Sequence, residues 1–121
     1  MKMRFAVASA LAAISVGAVV APPAANAAPN GTFYAWNDVN FCSWTGNSSN
    51  WDDQGCGNGV DYLWNNGFAG DNDVQAYQGR NYTGLTICVG SGVLVELEHL
   101  RFPNGQSAKD NLSSHRWVSS C

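Results

Sequence analysis

A chain of 121 residues with a net charge of −3 and 12% charged side chains has room for one domain. It lacks the basic surplus that holds nucleic acid or an anionic membrane, so neither is expected as a partner. Its 13 glycines, 5 tryptophans and many asparagines and serines fit a turn-rich β domain kept soluble by amides and hydroxyls.

The first residues read as an address. Lys2 and Arg4 form a basic start, residues 5–20 are an apolar run, and Ala25-Asn26-Ala27 supplies the small-x-small pattern of a signal peptidase site. The run is too short and too alanine-rich for a comfortable membrane span. Residues 1–27 are therefore expected to be a secretion signal, with Ala28 opening an extracellular domain over 28–121. Four basic residues (Arg80, Arg101, Lys109, Arg116) then face all nine acidic ones.

Every cysteine (Cys42, Cys56, Cys88, Cys121) lies in that exported part. An even count in a small exported chain predicts two disulfides. A zinc site is the rival, but there is no Cys-x-x-Cys pair, and His99 and His115 stand apart. Closing a loop of roughly 15 residues is worth about 3 kcal/mol in the chain-entropy model, which matters in a domain this small.

The chain also repeats itself. Ala35-Trp36-Asn37-Asp38-Val39-Asn40-Phe41 runs into Cys42, and Ala76-Tyr77-Gln78-Gly79-Arg80-Asn81-Tyr82 precedes Cys88. Downstream, Asn58-Gly59-Val60-Asp61-Tyr62-Leu63-Trp64 echoes Asp110-Asn111-Leu112-Ser113-Ser114-His115-Arg116-Trp117. The reading is two repeats, about 32–64 and 74–118, joined by a linker at 65–73. Residues 32–36, 74–77, 85–89 and 93–97 are aromatic or β-branched runs broken by turn signals, and so are strands. Residues 99–102 suit a short helical turn. Of the three connectivities open to four cysteines, Cys42–Cys56 with Cys88–Cys121 keeps each bridge inside one repeat and is the expected pairing. The expected fold is all-β, a Greek-key sandwich.

Tyr77-x4-Tyr82-x-Gly84, followed by Asp110-Asn111-Leu112-Ser113-Ser114, resembles the βγ-crystallin Greek-key motif. There a glycine lets the first hairpin fold over the sheet, an aromatic packs across it, and a late serine ties it down. The secretion signal, four cysteines, Gly46-Asn47-Ser48-Ser49 and the Ser-Ser-His-Arg-Trp ending resemble the actinobacterial peptidase inhibitors of the streptomycete metalloproteinase inhibitor type. Repeat one departs from the motif: Ser43 replaces the folding glycine and Asp61-Tyr62 the serine pair.

Many βγ-crystallin domains bind calcium through an acidic-acidic-x-x-Ser-Ser stretch. Here Lys109 takes a ligand position and Gly57-Asn58-Gly59-Val60-Asp61 offers few oxygens, while Asp71, Asn72 and Asp73 fit turn polarity. No metal or other cofactor is expected, and Ser113 and Ser114 read as structural. Nor is an enzyme expected. His99 beside Glu98, Ser114 beside His115 and the pair Glu96 and Glu98 form no recognisable catalytic set. Trp36, Trp64 and Trp117 occupy repeat-related positions and go to the core, leaving Trp44 and Trp51, around a polar loop, as the rings to offer a ligand.

The resemblance implies a monomeric inhibitor of a secreted thermolysin-type metalloprotease. Such enzymes favour an apolar residue after the scissile bond, so the candidate loop is Cys88, Val89, Gly90, Ser91, Gly92 and Val93, with Cys88–Val89 or Gly92–Val93 as the bond. The alternative is a ligand-binding, envelope-associated or toxin module of the same fold.

Overall fold

The computed structural model of the protein describes residues 29–68 and 72–121. The expected signal, Ala28 and Asp71 lie outside them. Among the described residues the strands are β1 (Thr32–Trp36), β2 (Phe41–Trp44), β3 (Tyr62–Asn66), β4 (Asp73–Gly79), β5 (Thr83–Val89), β6 (Leu94–Glu96) and β7 (Ser114–Val118). They make two antiparallel sheets, ordered β2-β1-β3-β6 and β5-β4-β7. The fold is all-β, as the strand signals indicate.

The duplication is visible in this order. β2-β1-β3 matches β5-β4-β7, with Ala35 and Ala76 buried at the centre of each middle strand. Each sheet then takes a piece of the other repeat. β6 adds to the first sheet by pairing with β3, Val95 opposite Leu63. Ser48 adds to the second by an antiparallel bridge to His115. That crossing of segments is what a Greek key requires.

Side chains alternate across each strand, so one face of each sheet points inward. Phe33, Ala35, Cys42 and Leu63 meet Val74, Ala76, Ile87 and Val89 in a continuous core closed by Trp51, Val60, Leu97, Phe102 and Leu112. The disulfides are Cys42–Cys56 and Cys88–Cys121. Their settings differ. Cys42 and Cys56 are buried in the core, whereas Cys88 and Cys121 are exposed.

Strand register corrects the repeat alignment by one residue. Cys42 lies opposite Ala35, but the residue opposite Ala76 is Ile87, and Cys88 faces Gln75. Likewise Leu63 opposes Ala35 where His115 opposes Ala76, so Trp64 corresponds to Arg116 and Asn65 to Trp117. Trp36 and Trp64 therefore lie on the outer face of the first sheet, where Trp36 stacks on Phe41 and Tyr62, and Trp64 on Tyr34. Trp117 packs against the core.

The expected boundaries also shift. Asn65 and Asn66 belong to β3 and Asp73 opens β4, so the link between repeats is shorter than 65–73. After β6, Leu97–His99 forms a 3-10 turn in place of a continued strand, which separates Glu96 from Glu98. A second 3-10 turn, Trp51–Gln54, interrupts the polar loop. Asn50 caps its start by accepting from Asp52 N–H (3.0 Å), and Gly55 ends it at φ 81°. The Gln54 side chain pairs with both backbone groups of Ser43 (3.2 and 3.0 Å), occupying the free edge of β2.

Candidate functional site

The folded hairpin of repeat two has the parts its motif demands. Gly84 sits at φ 84°, where a β-carbon is strained, and Asn81 and Tyr82 also take positive φ. The Ser114 hydroxyl donates to Gly79 C=O (2.6 Å) and accepts from Tyr82 N–H (3.1 Å). Tyr82 meets Tyr77 edge-on at 5.8 Å and lies under the Arg116 guanidinium at 4.4 Å. Ser113 instead crosses to the other repeat and donates to Asn58 Oδ1 (3.0 Å). Repeat one has no folded hairpin. β1 and β2 are joined by a tight turn in which Asn37 Oδ1 accepts from Val39 and Asn40 N–H, both at 2.7 Å. Ser43 is simply a strand residue opposite Tyr34.

The turn between β5 and β6 is built differently. Val93 N–H donates to Gly90 C=O (3.0 Å), and Gly92 at φ 82° takes the position a type II turn reserves for glycine. Gly92 N–H donates to Asn65 C=O (2.8 Å), and Asn65 N–H donates to Val93 C=O (3.0 Å). One residue thus pins both sides of the Gly92–Val93 bond. Ser91 Oγ has the carbonyls of Gly67 and Phe68 within reach of its single proton (3.1 and 3.0 Å).

Asn65 is itself immobilised. Fully buried, it donates through Nδ2 to Asn72 and Val89 carbonyls (both 2.8 Å) and accepts at Oδ1 from Gly67 N–H (2.8 Å). Every polar atom of its side chain is used, so its rotamer is fixed. Sequence reasoning missed it, because Asn65-Asn66-Gly67 reads as turn composition. The only signal for it is the strand register carried on from Leu63.

The candidate loop therefore divides. Cys88 and Val89 sit in β5 opposite Gln75 and Val74, and Val89 is 0% exposed. Gly90, Ser91, Gly92 and Val93 form the turn, with Val93 44% and the adjoining Leu94 41% exposed. Phe68 is exposed beside Ser91. Both bonds have an exposed or edge-strand side, but the valine that follows is buried at Cys88–Val89 and exposed at Gly92–Val93.

Of the other candidate ring pair, Trp51 is wholly buried and Trp44 half-buried. Trp51 is 0% exposed, stacks on Trp44 at 5.2 Å and donates from Nε1 to His115 Nδ1 (2.9 Å). Trp44 packs against the core. His115 fills the inward position that repeat one gives to Leu63, and burial pulls its pKa down to about 4 against the smaller upward pull of the Gly46 carbonyl.

The remaining polar candidates are paired or displaced. Lys109 Nζ lies 4.0 Å from Asp61 Oδ1. Burial raises the Asp61 pKa, and Lys109 opposes that shift. Asp73 Oδ2 accepts from Cys121 N–H (3.2 Å), and the cysteine sulfurs beside it are bonded to each other. His99 contacts Glu96 at 3.7 Å on the exposed surface.

No family model matches the chain, and no curated protein does so. A solved structure does, one described under the evolution of the eye-lens βγ-crystallin domain fold. It is 16% identical, superimposes with a TM-score of 0.59, and the match covers 81% of this chain and 94% of that one. The fold is that of a βγ-crystallin domain. Repeat two has the folded hairpin and its serine tie, and repeat one has neither.

Proposed function

We propose that this βγ-crystallin-like domain is a secreted inhibitor of thermolysin-type metalloproteases, not an enzyme, and that the Gly92–Val93 turn is its reactive loop. The observation that carries the reading is the pinning of Gly92 and Val93 to the two backbone groups of buried Asn65. A loop already held in place is bound with little loss of ordering entropy. Val93 supplies the apolar residue after the bond, and Leu94 and Phe68 extend the apolar contact.

Hydrolysis of that bond would leave both new ends beside Asn65. The cut also falls between Cys88 and Cys121, so the disulfide keeps the two pieces in one molecule. Products that cannot separate favour religation and slow turnover, which is what an inhibitor needs. The supporting facts are the secretion-type leader, the exposed apolar turn and the disulfide around it.

The alternative of a ligand-binding module drew on Trp44 and Trp51, and a buried Trp51 leaves no exposed ring pair there. The outer-face rings do not replace it: Trp36 and Trp64 are 5% and 1% exposed.

Val93→Asp is the direct test. It places a charge in the apolar subsite while leaving the turn hydrogen bonds, which are all backbone at Val93. Inhibition of a thermolysin-type protease should weaken at least about 100-fold, since a charge in an apolar pocket costs several kcal/mol. An undiminished inhibition constant would place the reactive loop elsewhere.

A further inference from the structure

His115 is the polar centre of an otherwise aromatic cluster. Its ring lies 4.7 Å from Phe33, 4.8 Å from Trp44 and 5.9 Å from Trp51, centroid to centroid. Both nitrogens are occupied. Nδ1 accepts from Trp51 Nε1–H, an indole that can only donate, so Nδ1 carries no proton. Nε2 must then be the N–H that donates to Gly46 C=O (2.9 Å). This neutral tautomer is the only state of the ring that satisfies both partners.

The same ring anchors a segment. Residues 46–48 lie along β7 through the two Ser48–His115 backbone bonds (3.1 and 2.9 Å) and the bond from Trp117 N–H to Asn47 Oδ1 (2.8 Å). Trp117 Nε1–H shares the Gly46 carbonyl (3.1 Å). The segment is the short counterpart of β6 and stands at the sheet edge. Cys42–Cys56 brackets it, so its release is bounded at both ends.

We propose that His115 is an acid-sensitive latch: protonation at Nδ1 sets two donors against each other at the Trp51 contact and releases the 45–50 segment from β7 while the two sheets remain joined. The proton comes from solvent, no covalent bond of the chain changes, and the hydrogen bonds given up are those of residues 46–48 to β7. Release uncovers the Trp44 and Trp51 rings, giving the domain a second, acid-specific surface. This goes beyond the inhibitor reading and does not depend on it.

Among the described residues, no charged group faces the ring. β1 and β2 present Phe33 and Trp44, and β4 places Ala76 opposite. On the 3-10 turn, Asp52 and Asp53 are exposed, and Asp52 pairs with Arg80. Arg116 stands over Tyr82 on the outer face, and Asp73 bonds Cys121 at the far end of β4. No neighbouring carboxylate is placed to compensate a buried imidazolium.

The direction follows from linkage. An imidazole freed into solvent takes up its proton near pH 6.5, and the latched one does so near 4, so the open state binds more protons between those values. Opening therefore grows as pH falls, by up to about tenfold per pH unit within that window and roughly 80-fold across it.

Amide and indole hydrogen exchange of the secreted protein, followed by NMR from pH 7.5 to 3.5, tests this. Protection factors of Ser48 N–H and Trp51 Nε1–H should lie below those of Leu63 and Ala76 N–H at every pH. They should fall roughly 80-fold between pH 6.5 and 4. The His115 Cε1 resonance should stay that of a neutral imidazole until near pH 4. In His115→Gln the segment's protection should become independent of pH. Equal protection of the segment and the central strands at every pH would overturn the latch, as would segment protection in the wild-type chain that ignores pH.

Discussion

Replacing Val89 with aspartate is expected to leave no folded protein, whereas the same change at Val93 should leave the melting temperature within about 4 °C of wild type. The two valines stand four residues apart in one candidate loop and differ in where they point. Val89 is fully buried against Val74, with its carbonyl taken by Asn65 Nδ2. No cationic partner waits there, and an uncompensated buried carboxylate costs several kcal/mol, a large part of the roughly 5–15 kcal/mol that holds a small domain together. Val93 is exposed at the turn, and its contribution to stability comes through backbone groups that the substitution keeps. Far-UV circular dichroism and a thermal melt of both variants distinguish them. A folded, cooperative Val89→Asp protein would mean that Val89 does not face the core and that the register of β5 against β4 is shifted.

Trp51→Ala should be nearly as damaging. Truncating a buried tryptophan costs about 3–5 kcal/mol, because the surroundings do not collapse fully into the cavity. Here a second cost adds to it. His115 Nδ1 loses its donor while still enclosed by Phe33 and Trp44, and an unmatched buried acceptor costs about 1–3 kcal/mol. Trp51→Phe keeps most of the ring volume and loses mainly the N–H, so it should fall well short of the alanine variant. Urea midpoints of the three proteins measure the difference. If Trp51→Ala unfolds within about 1 kcal/mol of wild type, Trp51 is a surface ring after all.

Much of this architecture was legible in the sequence. The Ala-aromatic duplication marked two equivalent middle strands, Gly84 and the serine pair marked a folded hairpin, and repeat logic selected the disulfide pairing found. A flanking polar loop suggests a surface position for Trp51, whereas it opens a 3-10 turn with its ring in the core. The misaligned faces have a separate origin. The β1–β2 turn is shorter than the β4–β5 hairpin, so aligning Cys42 with Cys88 and Trp64 with Trp117 slipped the comparison by a residue. With a side-chain period of two, a slip of one exchanges the faces. Trp36 and Trp64 are buried as expected, at 5% and 1% exposure, but on the outer face of their sheet, not between the sheets. His115 stayed hidden for the same reason, since correct register puts it at the leucine position of repeat one.

The hub at Asn65 was illegible for a different reason. Its partners, Val89, Gly92 and Val93, come from the next repeat, and no local pattern records a side chain that binds 24 residues away. The 3-10 turn at Trp51–Gln54, by contrast, had a readable signal. Asn50 stands at its start, two acids follow in the first turn, and Gly55 closes it.

The most direct test of the proposed inhibition is prolonged incubation of the secreted protein with a thermolysin-type metalloprotease, followed by intact-mass analysis with and without reduction. Inhibition should be accompanied by one slow cut, between Gly92 and Val93. Unreduced, the chain should gain a single water and stay whole, and on reduction it should part into pieces ending at Gly92 and starting at Val93. A protein that neither inhibits nor is cut, or one cut elsewhere while inhibition persists, would contradict the assignment of Gly92–Val93 as the reactive bond of an inhibitor.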